Sequence, residues 1–324
     1  MPRYKLTIAY DGTNFCGWQK QEPFRDRTAL AGGQQADAIY TPSSHDKMPV
    51  VPAEKIAGEL GVREGEDRAR VALRTVQHVV EQAVRVVVRE RVNLDGASRT
   101  DTGVHARGQV GAFTCSGRDE GTEGQEGGAE NPHSGWPLSR SVERLVRALN
   151  GNLPEDVVVM GAEVVHEQFN PVGDATSKAY SYTIHNARER AMWDRNYVHH
   201  VYEPLDVAAM QQAAAHFVGE QDFVAFAAAN HGRLTTVRTV FSCGVTATPI
   251  GGMHAGMPQR VRIDISGSGF LYNMVRIISG TLVEVGRGRI KPDAVPGIIT
   301  GKDRRAAGPT LPGRGLCLEW IRYQ

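Results

Sequence analysis

The sequence predicts an α+β fold made of two similar halves. Period-two alternation of apolar residues marks short strands in each half, and amphipathic helical stretches fall between them in the same order both times. At 324 residues and 41% hydrophobic content, the chain is long enough to bury one large core or two modest ones.

In "YKLTIAY" (4–10), Tyr4, Leu6, Ile8 and Tyr10 share one side, the pattern of a half-buried strand. From about 23 to 70 the periodicity fails among turn formers, leaving one short helix near "AEKIAGEL" and a surface excursion around it. Val76, Val79, Val80, Ala83, Val84 and Val87 then recur at helical spacing over 71–87. A glycine-rich loop leads into a strand at 109–114. The glycines and acids of "SGRDEGTEGQEGGAENPHSG" predict a mobile loop after it. A helix at 138–150 and a strand at 157–165 complete the first half, residues 1–165.

The second half, 166–324, repeats that rhythm. "KAYSYTIH" (178–185) alternates as a strand, and a helix follows with Asp206 as N-cap and Gly219 as C-cap. Strands are expected near 237–247 and 260–267, then the helix "FLYNMVRIISGTLVEVG", a short helix opened by Pro292, and the closing strand "GLCLEWIRY". Strand, helix, strands, helix, strand is the split β-α-β order, which gives an antiparallel sheet with helices on one face.

The net charge of +1 conceals an uneven distribution. The excursion at 22–71 holds 7 Lys and Arg against 9 Asp and Glu, and 117–136 holds 1 against 5, so the remainder of the chain is basic by seven charges. A basic remainder is the electrostatic footprint of a nucleic-acid binder. There is no run of about 18 apolar residues to cross a bilayer, and "MPRYKLTIAY" has neither the h-region nor the cleavage site of a secretory signal. The expected location is the cytoplasm. Cys16, Cys115, Cys243 and Cys317 are far apart and form no C-x-x-C pair, which argues against a zinc site or a disulfide framework.

The densest chemistry lies in "GASRTDTGVHARGQV" (96–110), where Arg99, Asp101, His105 and Arg107 crowd between glycines. An aspartate in a Thr-Asp-Thr-Gly turn ordinarily bonds its own backbone, and a histidine before a strand is ordinarily a structural hydrogen-bonder. The crowding suggests otherwise. Arg99 and Arg107 are placed to keep Asp101 ionised, and a firmly ionised carboxylate serves as a nucleophile or a base but not as an acid. Trp18 in "AYDGTNFCGWQKQ" is either exposed or a core plug, and Tyr180 and Tyr182 share one face of "SKAYSY" beside Lys178. In "GSGFLYNMVRIISGTLVEVGRGR", Leu271, Met274, Val275, Ile278 and Leu282 form the apolar side. Tyr272, Asn273 and Arg276 fall toward another side, with solvent as the default environment of Arg276.

Together, "YDGTNFCGWQKQ", "ASRTDTGVHARGQV", "ALNGNLPEDV", "GEQDFVAF", "GFLYNMVRIISGTLVEVGRG" and "AAGPTLPGRGLCLEWIRY" resemble, in order, the motifs of the tRNA pseudouridine synthase A family. The resemblance spans nearly the whole chain outside the two excursions. It implies a pseudouridine synthase fold, in which two ferredoxin-like or RRM-like halves form one continuous antiparallel sheet around an RNA-binding cleft. It also implies a cofactor-independent, metal-free isomerase that acts as a homodimer on the anticodon arm of tRNA, converting uridine to pseudouridine at three adjacent positions, 38–40. By motif, Asp101 matches the catalytic aspartate and Arg99 the arginine associated with flipping the target nucleotide. Tyr180 matches the tyrosine that packs on the target base, and Arg276 the arginine paired with the aspartate. The chain departs from many relatives at Pro171, Val172, Gly173 and Asp174, where they carry basic and aromatic residues before the tyrosine. Two other readings remain: an inert tRNA-binding chaperone, and a hydrolase using Asp101 with His105 as base.

Overall fold

A computed structural model describes residues 1–20, 73–117, 135–228, 235–251 and 259–324. The short helix expected near "AEKIAGEL", and nearly all of both acidic excursions, lie outside the described residues.

The N-terminal strands are β1 (Arg3–Tyr10), β2 (Asp95–Gly96), β3 (His105–Thr114) and β4 (Val157–Val165). β1 buries Tyr4, Leu6, Ile8 and Tyr10, the four residues of its alternating side. Helix α1 (Val76–Val88) is capped by the Thr75 hydroxyl accepting from the His78 N–H, and it buries Val76, Val80, Ala83, Val84 and Val88. Helix α2 (Val142–Asn150) packs against β4. The C-terminal strands are β5 (Ala175–Asn186), β6 (His199–Val201), β7 (Gly219–Asp222), β8 (Val237–Pro249), β9 (Gln259–Gly267) and β10 (Leu316–Tyr323). With them come α3 (Val207–Ala215), α4 (Met274–Gly286) and α5 (Val295–Gly301). Among the described residues, no helix is long and apolar enough to cross a membrane.

All ten strands join one sheet, in the order β4-β1-β3-β10-β5-β9-β8-β7, with β2 on β3 and β6 on β5. The last strand in sequence therefore fills the slot between the N-terminal and C-terminal groups. Its pairing with β3 is parallel, as is that of β6 with β5, so the wholly antiparallel expectation fails at these two places. The strand order explains the seam: β10 runs antiparallel to β5, and inserted between β5 and β3 in that direction it lies parallel to β3.

Several boundaries differ from the periodicity: α1 starts at Val76, α2 at Val142 after its Ser141 cap, and β5 runs from Ala175 to Asn186, and three further shifts have a visible cause. β3 begins at His105 rather than 109, because His105 and Ala106 already pair with Cys317 and Leu318. Asp206 caps α3 as expected, but the helix ends at Ala215 with His216 as its cap, and Gly219 instead opens β7 by pairing with Val240. α4 starts at Met274 and not at Phe270, because Asn273 before it takes the left-handed conformation (φ 62°). From there α4 is buried nearly all round, including Ile277, Ile278, Leu282 and Val283.

Candidate active site

Two loops hold Asp101 in place. Residues 101–104 form a turn closed by the Val104 N–H donating to the Asp101 carbonyl at 3.1 Å. Beneath it runs the loop after β1, where the Trp18 N–H donates to the Thr100 carbonyl at 3.0 Å and the Tyr10 hydroxyl lies 2.7 Å from that of Thr100. Gly17 sits at φ 93°, and a Cβ there would fall 2.6 Å from the Thr100 carbonyl oxygen, so a side chain would force the loops apart. Trp18 is 2% exposed and is thus the core plug of its two readings.

The Asp101 carboxylate points away from its own turn, toward α4. Arg276 Nη1 donates to Oδ2 at 2.8 Å. The same nitrogen donates to Asn273 Oδ1 at 2.7 Å, and Nε donates to the Leu311 carbonyl at 2.7 Å. Three anchors thus fix the guanidinium, one at the helix start, one on the C-terminal loop and one on the carboxylate. Leu311 reaches it because the adjoining Gly308–Pro309 backbone presses on α4 at Gly280, where a Cβ would meet the Pro309 oxygen at 1.9 Å. Asp101 keeps 26% of its side chain exposed and Arg276 keeps 18%, so the ion pair is accessible from one side.

Tyr180 lies on β5 with 7% exposure. Its hydroxyl is 2.8 Å from Ser98 Oγ, and its ring meets Phe270 edge-on at 5.4 Å. Burial pushes the phenol up to about 12; the Ser98 hydrogen bond opposes that shift, and the Asp101 charge adds to it. The phenol is therefore neutral at physiological pH, and the same field shows that Asp101 and Tyr180 are electrostatic neighbours. Arg99 is exposed and has no hydrogen bond or ion pair among the described residues. It lines a cavity of about 540 Å³ together with Trp18, Gln77, Asp95, Phe169 and Asn170.

The structure thus pairs Asp101 with Arg276 and puts Tyr180 within reach of the Asp101 charge, whereas Arg99, two residues before Asp101, lines a cavity whose walls include none of the three. It corrects the expected source of positive charge. Arg107 lies along β3, 70% exposed and 3.6 Å from Glu319, while the cation on Asp101 is Arg276, 175 residues away in sequence. His105 is buried, with Nδ1 between the Gly12 N–H (3.0 Å) and Asp11 Oδ1 (3.2 Å). Its Nε2 lies 3.0 and 3.2 Å from the Asn196 and Arg314 carbonyl oxygens. Both ring nitrogens are occupied, so His105 is not available as a base for Asp101. Burial also pushes the Cys115 thiol up to about 11 and those of Cys243 and Cys317 up to about 12, which leaves them protonated.

Sequence reasoning missed Ser98, Phe270, Asn273 and Leu311. Only Asn273 carried a usable signal, a side chain with an amide oxygen three residues before Arg276 at a helix start.

Residues 213–324 match the family model described as tRNA pseudouridine synthase. Over the full length of both chains, the protein is 36% identical to tRNA pseudouridine synthase A of Pelobacter propionicus and 37% identical to that of Geotalea uraniireducens. It is 39% identical, again over all of both chains, to tRNA pseudouridine synthase A of a Thermoanaerobacter species.

Proposed function

This chain belongs to the tRNA pseudouridine synthase A family and isomerises uridine in tRNA, and from that premise we propose that Asp101 is the group that breaks the glycosidic bond. The observation that carries the proposal is the accessible Asp101–Arg276 pair, 2.8 Å apart.

The uracil of a uridine in an RNA arm is stacked, so it must first be extruded, at a cost of about a few kcal/mol. Arg99, exposed and uncommitted, suits the vacated place because a guanidinium both stacks on bases and binds phosphate. In the reaction the N1–C1′ bond breaks, the uracil turns, and a C5–C1′ bond forms; C5 loses its proton and N1 gains one, so the product is an isomer. Asp101 acts either by attacking C1′ or by removing a sugar proton. Arg276 supplies the counter-charge to the carboxylate as RNA displaces water, so the charge is not left unpaired. Tyr180 offers the detached base a face and an edge, which restrain it while permitting rotation. The substrate would be the anticodon stem-loop at positions 38–40, the working unit a homodimer and the location the cytoplasm. The two groups of strands flanking β10 would be the two ferredoxin-like halves, with the RNA cleft where they meet.

A purely RNA-binding chaperone gains nothing from a carboxylate here, because it repels phosphate, and an Asp–His hydrolase lacks a free histidine. The deciding experiment is Asp101→Asn. Pseudouridine formation in total tRNA should fall by about a thousandfold or more, while tRNA affinity stays within about threefold. Undiminished turnover would overturn the assignment.

A further inference from the structure

We propose that Trp193, with Arg188, Arg190 and Arg195, forms a stacking platform for an unpaired nucleotide of the substrate tRNA other than the target uridine. The proposal rests on the reading of the substrate given above and adds a second contact point to it.

Trp193 is 97% exposed, and its neighbour Met192 is 68% exposed. A single exposed apolar residue needs no explanation; the setting of this one does. Its loop, between β5 and β6, is tied down on both sides of the indole. Arg195 Nη1 donates to the Met192 carbonyl at 2.9 Å, the Tyr197 N–H donates to the Asp194 carbonyl at 2.8 Å, and Asp194 itself is paired with Arg260. The loop is also anchored across the seam. Tyr197 donates its hydroxyl proton to Asp11 at 2.7 Å, and the Asn196 carbonyl faces His105. A rigid loop therefore holds a large flat ring in water. Stacking on a base suits such a group, because the ring is pre-ordered and loses little entropy on binding.

The charges select RNA over a protein partner. Arg188, Arg190 and Arg195 are all exposed, and Arg188 and Arg190 have no ion-pair partner among the described residues. Within residues 188–195, with Asp194 neutralised by Arg260, three arginines outnumber the one remaining carboxylate, Glu189, while Asp11, which anchors the loop, is itself held by Thr13, Tyr197 and His105. Reach matches as well. Asn196 touches His105, which is four residues from Asp101, so Trp193 and Asp101 are at most about 35 Å apart along that path. About ten stacked nucleotides span that distance, so one RNA arm is long enough to reach both the platform and the target.

The test uses an anticodon stem-loop RNA with cytidine in place of the target uridines, so that binding is read without turnover. Trp193→Ala should weaken its affinity about tenfold and Trp193→Phe by less than about threefold. The double substitution Arg188→Ala/Arg190→Ala should lower the slope of log affinity against log salt by about one to two. Unchanged affinity of Trp193→Ala for the probe would overturn the platform. So would a change in oligomeric state at unchanged affinity, which would make the ring a protein contact. If the wild-type protein formed no pseudouridine while Trp193→Ala still weakened probe binding, the proposed activity would fail and the platform would stand.

Discussion

Asp101, in the turn before β3, and His105, the first residue of β3, lie four residues apart and both reach across the seam in the sheet, yet they meet opposite surroundings. His105 is enclosed: its ring nitrogens face Gly12, Asp11, Asn196 and Arg314, and Tyr197 packs 5.0 Å from its ring. Asp101 has one firm partner, Arg276, and an accessible remaining side. Enclosure on every side makes a group a fastener, because each of its hydrogen bonds is already used. Partial pairing at an open face leaves a charged oxygen that an incoming substrate can meet. A single turn thus delivers a reactive group and the rivet that keeps it registered.

Substitution should separate the two roles. After Asp101→Asn, Arg276→Ala should have the next largest effect, lowering kcat about a hundredfold, equivalent to about 2.7 kcal/mol of barrier, while Arg276→Lys restores only part because it lacks the second donor to Leu311. Steady-state rates on a tRNA transcript check this, and full activity in Arg276→Ala would abolish the distinction. His105→Ala should act on the other side of the comparison. It strips partners from the Gly12 N–H and two carbonyls, so urea unfolding should show a loss of about 2–3 kcal/mol, with kcat nearly unchanged below the new melting point. A catalytic collapse in folded His105→Ala protein would turn the rivet into a reagent. Tyr197→Phe, which removes only the bond to Asp11, should cost about 1 kcal/mol by the same assay.

The smallest effect expected is one of pH. An ordinary tyrosine loses its proton near 10, but burial holds the Tyr180 phenol up to about 12, so it keeps its proton, and its bond to Ser98, throughout the range between. A rate profile from pH 8 to 10 should therefore change less than about twofold on account of this residue, and it should match that of Tyr180→Phe in shape. A Tyr180-dependent step centred near pH 10 would mean that the ring is wetter than its packing implies.

Much of the frame was legible from local pattern. β1 and α1 declare themselves because one face of each meets a core directly, so their apolar residues recur at periods of two and of about three and a half. Asp101 and Tyr180 were recoverable because they sit in distinctive short motifs. The partner of Asp101 was misjudged from local sequence for a physical reason. Arg107 is near in sequence, but β3 carries it toward Glu319, whereas the distant Arg276 is delivered by the packing of α4. The ends of α3 and α4 were equally invisible, since β7 pairing and the left-handed Asn273 decide them. Neither leaves a trace in hydrophobic periodicity. Leu311 enters through its backbone carbonyl, an atom that every residue has, so no residue type could have announced it.

The position of β10 bears on synthesis as well as on architecture. A ribosome must deliver residues 316–323 before the slot between β3 and β5 can be filled. Until then Asp101 and Arg276 belong to strand groups that no strand pairing joins. A nascent chain interrupted between Leu311 and Leu316 would hold every residue of the candidate site yet lack the strand that joins the two groups, so such a truncated product would be silent rather than partly active.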